Sequence, residues 1–545
     1  MTEGGAGRSA IRDPRTWMVA GAVVVVVAEL AVGLILRSGG DESPPDTLRV
    51  ALATFGAEVL DPSADSQAGR QYYGHMFDYL IGATPEGRPS ADFGAIESWT
   101  VSPDARSYTL KLRAGMRWHN GEEITAGDVM FSLEHYQRAA VACAECGSLD
   151  EAIREMTLVD RYQLKVELEA PDIAFIDRLG PVQEDVPLLP GSYWEAVGEA
   201  GFAENPIGSG PWKFAGRLSG EFIEYEANLD YWDPDRVPAF PRLRLVQVAD
   251  RRDRLALLKS GIVDMAPFDS SDVAALKAEG LLVEGPKYVL ETALRFFMSY
   301  DDSFLTADER FRKALILGMD LPSIVERIYP PEAATLAGGS TMFTPVTQGF
   351  DPSLPPYPYD PEQSRELLRE LDYNGETISL LSISVYDQTE TPTLNVLLAE
   401  NWEKIGLNVE IAPTSYLPVK RRFLLRPQQF DDLTPAPAFH GGHVNTPGGI
   451  MNAIYRYLTS SSESLLTYHD PENGDRIYAD LLSIQDVGER QQRLKELNRE
   501  LYEEYWSAPV VWRHDIWGVR PGLSDWQPTN GMTSHLNFET VRPAD

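Results

Sequence analysis

The chain has 545 residues, too many for a single hydrophobic core, so two or three domains are expected. Its hydrophobic fraction of 43% and charged fraction of 24% are those of a globular protein and exclude a largely disordered chain. The formal net charge of −34 argues against nucleic-acid binding, which needs a basic surface. A solvated acidic surface is the favoured interpretation of that charge, and a cationic ligand is the alternative.

An apolar segment lies near the start of the chain. It runs from Trp17 to Leu36, is interrupted only by Glu29, and is long enough to cross about 30 Å of hydrocarbon. Three arginines precede it and acidic residues follow, so the positive-inside rule keeps residues 1–16 in the cytoplasm and the remainder outside. A cleaved signal peptide is the alternative, but no small-x-small pair closes the apolar run. We predict an uncleaved transmembrane anchor at 17–36, followed by a linker at 37–46.

The most informative stretch extends from Ile96 to Gln137. Apolar residues at 108, 110 and 112 alternate with polar ones and predict a half-buried strand. Asn120-Gly121 predicts a type I′ turn, because both residue types tolerate positive φ. Thr125 and Asp128 form a capping box that predicts the start of a helix. The predicted order is strand, turn, strand, tight turn and capped helix.

Three motifs could carry chemistry. Cys143 and Cys146 form a C-x-x-C, for which a local disulfide outside the membrane is favoured over redox or metal chemistry. The glycine-rich segment at 205–212 lacks the residues of a phosphate cradle or a nucleophile elbow, so we interpret it as a tight turn. His440 and His443 form an H-x-x-H without an identifiable third ligand, so no metal site is predicted.

The second half of the chain predicts a strand and then alternating helices and strands. The predicted elements are a strand at Glu291–Ser299, a helix at Phe311–Gly318 with a capping box at Thr306 and Glu309, a helix capped by Asp360, a strand–helix–strand unit at Ile378–Ser384, Pro392–Ile405 and Asn408–Ala412, and an amphipathic helix at Arg490–Trp506. The strand–helix–strand unit indicates a largely parallel sheet with crossover helices.

These segments closely resemble the family-5 extracellular solute-binding proteins, the peptide- and nickel-binding components of ABC importers. The resemblance runs from about Thr47 to Gln527, and its pieces are E-S-W at 97–99, R-x-G-x-x-W-H at 113–119, N-G at 120–121, T-A-x-D-V at 125–129, N-P-x-G-S-G-P-W at 205–212 and N-L-D-Y-W at 228–232. Four ordered pieces within the single segment 97–129 are a specific signal. The cysteine that often carries a lipid anchor in this family is absent here.

The resemblance implies an α/β, two-lobed fold like that of periplasmic binding proteins, with a large first lobe and an extra subdomain. The implied domains are lobe I at 47–290 with an inserted subdomain at about 83–205, lobe II at 291–508, and a return to lobe I at 509–545. Paired hinge strands are expected near 289–297 and 509–515. A first helix at Tyr72–Gly82 and a structural role for His119 are also implied.

The implied function is capture of a peptide or similar small solute between the lobes and its delivery to ABC permease subunits in the membrane. The protein would act as an extracytoplasmic monomer with no cofactor and no nucleic-acid partner. A membrane-tethered ligand sensor shares all of these features. A secreted hydrolase is a rival class, but no catalytic cluster is visible in the sequence.

The resemblance also implies ligand-binding residues, from their positions relative to the family's motifs. Peptide binders of this family often hold the ligand's amino terminus with an aspartate in a lobe II loop, and His443 stands at that place in the loop 439–447. That exchange disfavours recognition of a free amino terminus, and favours a carboxylate, ring-stacking groups or a chelated metal. The candidates are Phe439, His440, His443 and Asn445 in the loop, Met298 where the family has asparagine, and Trp212, Trp512 and His514.

Overall fold

Two large β-sheets, one in each half of the chain, carry the fold. The computed structural model describes residues 46–63, 69–139, 149, 152–181, 186–296, 299–384, 390–415, 438–442, 449–461 and 468–544. Within them the strands are β1 (Thr47–Leu52), β2 (Gly82–Ala83), β3 (Pro89–Ser90), β4 (Ile96–Val101), β5 (Ser107–Leu112), β6 (Ile153–Asp160), β7 (Gln163–Leu168), β8 (Trp212–Leu218), β9 (Phe222–Ala227), β10 (Arg242–Gln247), β11 (Met265–Phe268), β12 (Leu282–Glu284), β13 (Leu290–Arg295), β14 (Ala334–Leu336), β15 (Thr377–Ser384), β16 (Asn408–Ser415), β17 (Ala438–Gly442), β18 (Ala508–Arg513), β19 (Ile516–Val519), β20 (Leu523–Ser524) and β21 (Arg542–Pro543). The α-helices are α1 (Arg70–Tyr73), α2 (Ala126–Ala139), α3 (Gly191–Glu204), α4 (Arg251–Lys259), α5 (Val273–Ala278), α6 (Glu309–Leu317), α7 (Leu321–Ile328), α8 (Pro361–Glu370), α9 (Thr391–Lys404), α10 (Ile450–Leu458), α11 (Pro471–Ser483) and α12 (Val487–Glu503).

Lobe I is the part of the chain built on the seven-stranded sheet, whose spatial order is β12-β19-β11-β1-β10-β9-β8. In it β1 runs parallel to β10 and β11, while β9 and β19 are antiparallel to their neighbours. A four-stranded sheet, β4-β5-β7-β6, belongs to the same lobe and shares one apolar core with the larger sheet.

Lobe II is built on the six-stranded sheet, whose spatial order is β14-β18-β13-β17-β15-β16. Here β15 pairs in parallel with β16 and β17, and β13 is antiparallel to both β17 and β18. The strand–helix–strand prediction is confirmed by β15, α9 and β16. The sheet as a whole is mixed, because β13, β14 and β18 pair in antiparallel fashion.

The signature stretch folds as its residue pattern predicts. Tyr108, Leu110 and Leu112 are buried along β5, and the Asp128 carboxylate accepts the Thr125 N–H at 2.9 Å just before α2. His119 then ties this stretch to the glycine-rich turn. Its Nδ1 accepts the Gly208 N–H at 3.1 Å, and its Nε2 lies 3.0 Å from the Gly210 carbonyl oxygen.

The glycines of that turn are required by a close approach of two backbones. A Cβ on Gly208 would lie 1.9 Å from the Met76 carbonyl oxygen. Burial lowers the pKa of His119 to about 4, so the ring is neutral and its two nitrogens can play opposite roles. His119 therefore has a structural role in this chain.

Three local predictions were wrong. The first helix covers only Arg70–Tyr73, because the backbone from Met76 onward pairs with other segments, as in the 2.8 Å bond from the Gly210 N–H to the Met76 oxygen. The tight turn is not type I′: of its central pair only Gly121 has positive φ, and the Asn120 side chain accepts the Glu122 N–H. Helix α6 is capped by Asp308, whose side chain accepts the Arg310 N–H; Thr306 lies in the 3₁₀ turn that precedes it.

None of the helices in the described part of the chain is long and apolar enough to cross a membrane. The predicted anchor at 17–36 lies outside the described residues, as do Cys143 and Cys146.

Candidate functional site

The chain passes between the two large sheets along two adjacent segments. One leads from β12 to β13 and the other from β18 to β19. They are hydrogen-bonded to each other, since the Val289 N–H donates to the Arg513 oxygen and the Asp515 N–H to the Pro286 oxygen, both at 3.0 Å. Two lobes joined in this way can change their relative orientation through a few residues.

His514 fastens this junction. Its Nδ1 accepts the Tyr288 N–H at 3.1 Å, so its Nε2 carries the proton and donates to the Thr335 hydroxyl at 2.9 Å. Burial lowers the pKa of His514 to about 4, which keeps this tautomer neutral. Tyr288 has a φ of 58°, an uncommon conformation for a residue with a large side chain.

Strand ends of both lobes lie at this junction. In lobe I, β11 ends at Phe268 opposite Ile516, immediately after one crossing segment. In lobe II, the end of β17 at Gly442 lies opposite Thr292, near the start of β13. The carboxyl ends of the parallel strands in both lobes therefore border the junction, and this is where open α/β sheets bind ligands.

Contacts between the lobes also occur beside the junction. The Ser270 hydroxyl of lobe I donates to Glu390 Oε1 of lobe II at 2.6 Å. On the subdomain side, Asp177 of lobe I is buried and faces the charge of Arg490 in α12. Burial raises the pKa of Asp177 to about 7, while Arg490 opposes that rise.

A buried polar group lies in lobe II at the start of β13. Glu291 pairs with Trp512 across β13 and β18, and its Oε2 accepts the Met342 N–H at 3.1 Å. Among the described residues, Glu291 Oε1 and the Trp512 indole N–H each lack a hydrogen-bond partner of normal geometry, although the Trp512 N–H is close enough to lower the pKa of Glu291. Burial raises the pKa of Glu291 to about 7, opposed by the charge of Arg295. The Trp512 ring meets Tyr288 and Phe350 edge-on.

Arg295 lies four residues further along β13, on the same face as Glu291, because side chains alternate along a strand. Its guanidinium carbon is 4.2 Å from the ring centre of Tyr457 and 5.9 Å from that of Trp506. Only 3% of the residue is exposed, yet neither Nη1 nor Nη2 has a hydrogen-bond partner among the described residues. The hydroxyls of Ser340 and Thr344, which flank Met342 in the chain, are also buried and unpaired within the same described part of the chain.

Lobe I contains a cavity of about 420 Å³ whose lining includes polar side chains of that lobe. Asp78 Oδ1 accepts the Tyr231 hydroxyl at 2.7 Å, while Oδ2 has no hydrogen-bond partner of normal geometry in the part of the chain that the structure describes. Arg236 pairs with Glu539 at 2.5 Å on the same wall. Burial raises the pKa of Asp78.

The residues predicted from the sequence fall into three groups. Trp512 and His514 lie together at the junction, whereas Trp212 is fully buried at the far edge of the lobe I sheet. Phe439 and His440 lie on β17, where their backbones pair with Arg295 and Leu294. The others lie outside the described residues: Met298, His443, Asn445, Cys143 and Cys146.

Glu291 and Arg295 were missed by sequence reasoning. The signal available was a pair of opposite charges inside the otherwise apolar and small-residue strand L-E-T-A-L-R-F-F. A strand buried on both faces rarely carries unpaired charge without a reason.

Residues 94–435 match the model of the bacterial extracellular solute-binding proteins, family 5, middle region. The chain belongs to this family. It is a solute-binding protein of the kind that serves ABC importers, a class of substrate-binding proteins and not of enzymes.

Known relatives and structures are similar over most of the chain. Heme-binding protein A of Haemophilus influenzae is 26% identical over 68% of this chain and 69% of its own length. The dipeptide-binding protein of Escherichia coli is 26% identical over 62% of this chain, and the match spans 65% of its own length, just under two thirds. HbpA2 of Haemophilus parasuis has the same fold, with a TM-score of 0.78, 20% identity and coverage of 92% of this chain and all of that one. The periplasmic murein tripeptide-binding protein MppA, in an unliganded open form, has a TM-score of 0.76 at 18% identity and covers 92% of this chain and 98% of its own.

Proposed function

We propose that this protein captures a peptide or similar small solute in the cleft between lobes I and II and delivers it to an ABC permease. The observation that carries the proposal is the junction, where two hydrogen-bonded crossing segments meet the carboxyl ends of the parallel strands of both lobes. Closure around a solute would bury most of its surface, which is the usual source of affinity in such sites.

The relatives support a small, organic ligand. Their names specify heme, dipeptides, di- and tripeptides and glutathione. Structures of the same fold hold a tetrapeptide, a nickel–histidine complex and agropinic acid. We propose that the protein acts as a monomer, performs no reaction on its solute and needs no cofactor.

We propose lobe boundaries at 47–290, 291–508 and 509–545, with the subdomain at about 83–205. The boundary at 290/291 lies next to the first junction segment, which connects β12 to β13. The boundary at 508/509 falls inside β18, whose residues pair within the six-stranded sheet, just before the second junction segment.

We propose that the loop 439–447 lines the cleft, since β17 brings its first residues beside β13. A carboxylate at the place of His443 would stabilise a ligand ammonium by about 1.5–3 kcal/mol, which a neutral imidazole cannot supply. Short peptides with free amino termini should therefore bind weakly, and His443→Asp should improve their binding. Calorimetric titration of wild type, His443→Asp and His443→Ala with alanyl-alanine tests this. Micromolar binding by wild type that His443→Ala leaves unchanged would refute the loop assignment.

We also propose that residues 17–36 remain as an uncleaved anchor that holds the folded part at the outer face of the membrane. Full-length protein expressed in bacteria should then fractionate with membranes and keep its own N-terminus. Glu29→Leu should not reduce membrane retention, because a mid-span carboxylate opposes insertion by about 2.5–3.5 kcal/mol. A mature N-terminus between Ala31 and Asp46 would show a cleaved signal peptide instead.

A further inference from the structure

The unpaired guanidinium of Arg295 is unusual for a buried arginine. Buried polar groups in folded proteins almost always have hydrogen-bond partners, and a buried charge without one is strongly unfavourable. Arg312 of the same lobe is hydrogen-bonded in the way that is usual for a buried arginine: its N–H groups donate to four backbone carbonyl oxygens at 2.9–3.2 Å. The two Nη atoms of Arg295 have no such acceptors in the described ranges of the chain, although the residue is buried to a similar degree.

Nearby acidic groups do not supply the missing partner. Glu291 lies on the same face of β13, but its carboxylate forms no ion pair with Arg295 within 4.0 Å among the described residues. One of its oxygens is occupied by the Met342 N–H. Burial raises the pKa of Glu291 to about 7, so at slightly acidic pH this carboxyl group is protonated and does not compensate the charge of Arg295.

The surroundings of Arg295 indicate which chemical group could serve as its missing hydrogen-bond partner. The guanidinium carbon lies 4.2 Å from the ring centre of Tyr457 and 5.9 Å from that of Trp506. An aromatic ring attracts the charge of the guanidinium but offers no hydrogen-bond acceptor atom to its N–H groups, and both Nη atoms are unpaired within the described part of the chain. A planar fork of N–H donors matches a carboxylate, which accepts two parallel hydrogen bonds.

We propose that Arg295 is a ligand-binding residue that pairs with a carboxylate group of the captured solute, held against Tyr457 and beside Glu291. This rests on the proposed function and specifies its ligand as an organic carboxylate. The position adjoins the loop that we propose lines the cleft. Arg295 pairs through its backbone with Phe439, at the start of the loop assigned to the cleft, and Tyr457 lies on α10, which follows that loop.

Matched acids and amides test the proposal in calorimetric titrations of the full-length protein. The probes are N-acetyl-alanyl-alanine and its C-terminal carboxamide, and succinate and its diamide. We expect at least one acid to bind wild type about ten- to a hundredfold more tightly than its amide, the ratio expected for a charge-assisted pair. Arg295→Met should abolish that preference and Arg295→Lys should retain part of it. Arg365→Met, a surface change of the same type in lobe II, should leave it intact.

Stability without ligand separates binding from a structural role. At pH 5.5, where Glu291 holds its proton, Arg295→Met removes a buried charge that has no partner. Its melting temperature should equal or exceed that of wild type. A large drop in melting temperature, or failure to fold, would show that Arg295 is structural and overturn the inference.

The remaining outcomes are distinct. Equal binding of the acetylated peptide and its amide, or an acid preference retained by Arg295→Met, overturns the carboxylate site and leaves the peptide-binding function standing. Arg295-dependent binding of succinate without binding of either peptide form supports the site and removes the peptide from the proposed function. If none of the four probes binds, the carboxylate site is refuted, while capture of another solute is decided separately by native mass spectrometry of the purified protein.

Discussion

The protonation of Glu291 makes a quantitative prediction about stability. Burial raises the pKa of this carboxyl group from 4.5 to about 7 in the folded protein. Between these two pH values the folded chain holds a proton that the unfolded chain has released, so the wild type loses stability as pH rises through this window. Above pH 7 the loss is complete and the curve is flat. At about 1.4 kcal/mol for each tenfold change, the total is about 3 kcal/mol.

Glu291→Gln imitates the protonated form and cannot titrate. The difference in unfolding free energy between the variant and the wild type should therefore rise by about 3 kcal/mol from pH 4.5 to pH 8, in favour of the variant. Asp177, whose pKa is also raised to about 7, contributes equally to both proteins and cancels in the difference. Urea denaturation of the ligand-free proteins at closely spaced pH values measures it. Parallel stability profiles would mean that Glu291 is already ionised in the folded state at pH 5, and would refute the reasoning.

Three further predictions concern other parts of the chain. Arg312→Met should lower the unfolding free energy by at least about 3 kcal/mol in urea denaturation, because four buried or partly buried backbone hydrogen bonds lose their donor. A change below about 1 kcal/mol would contradict this. Gly285→Ala should lower the melting temperature, because Gly285 has a φ of 144° and a Cβ there would lie 2.2 Å from the Asp515 carbonyl oxygen. An unchanged melting temperature would show that the backbone at the junction shifts to accept the Cβ without loss of stability. Cys143 and Cys146 should resist thiol labelling in the folded, unreduced protein, and their reduction should change stability by about 2 kcal/mol; two labelled thiols or stoichiometric zinc would rule out the disulfide.

Local periodicity predicted much of the fold, whereas the predicted type I′ turn at Asn120-Gly121 was wrong. The alternation along β5, the helix start after Thr125 and the strand–helix–strand unit around α9 were confirmed, because each depends on residues close in sequence. Of the Thr125–Asp128 box, the Asp128 half is present: its carboxylate accepts the Thr125 N–H. The first helix was predicted too long, because the backbone from Met76 onward forms hydrogen bonds with residues more than a hundred positions away in the sequence. Sequence spacing does not show such long-range pairing.

The site was less predictable than the fold. Trp512 and His514 were selected for their position near the return strand, and the structure places both at the junction. The unpaired state of Arg295 could not be read from the sequence, since it depends on which carbonyl oxygens and carboxylates surround the side chain in three dimensions. Arg312 and Arg295 are equally charged in the sequence, and only their acceptors distinguish them.

Native mass spectrometry of the gently purified protein tests the central claim most directly. A solute-binding protein with a cleft between two lobes should retain one small organic molecule per chain, release it on mild denaturation, and return it chemically unchanged after incubation. Protein without any bound solute that also binds none from a mixture of peptides and organic acids, or protein that converts the solute into a product, would contradict the account.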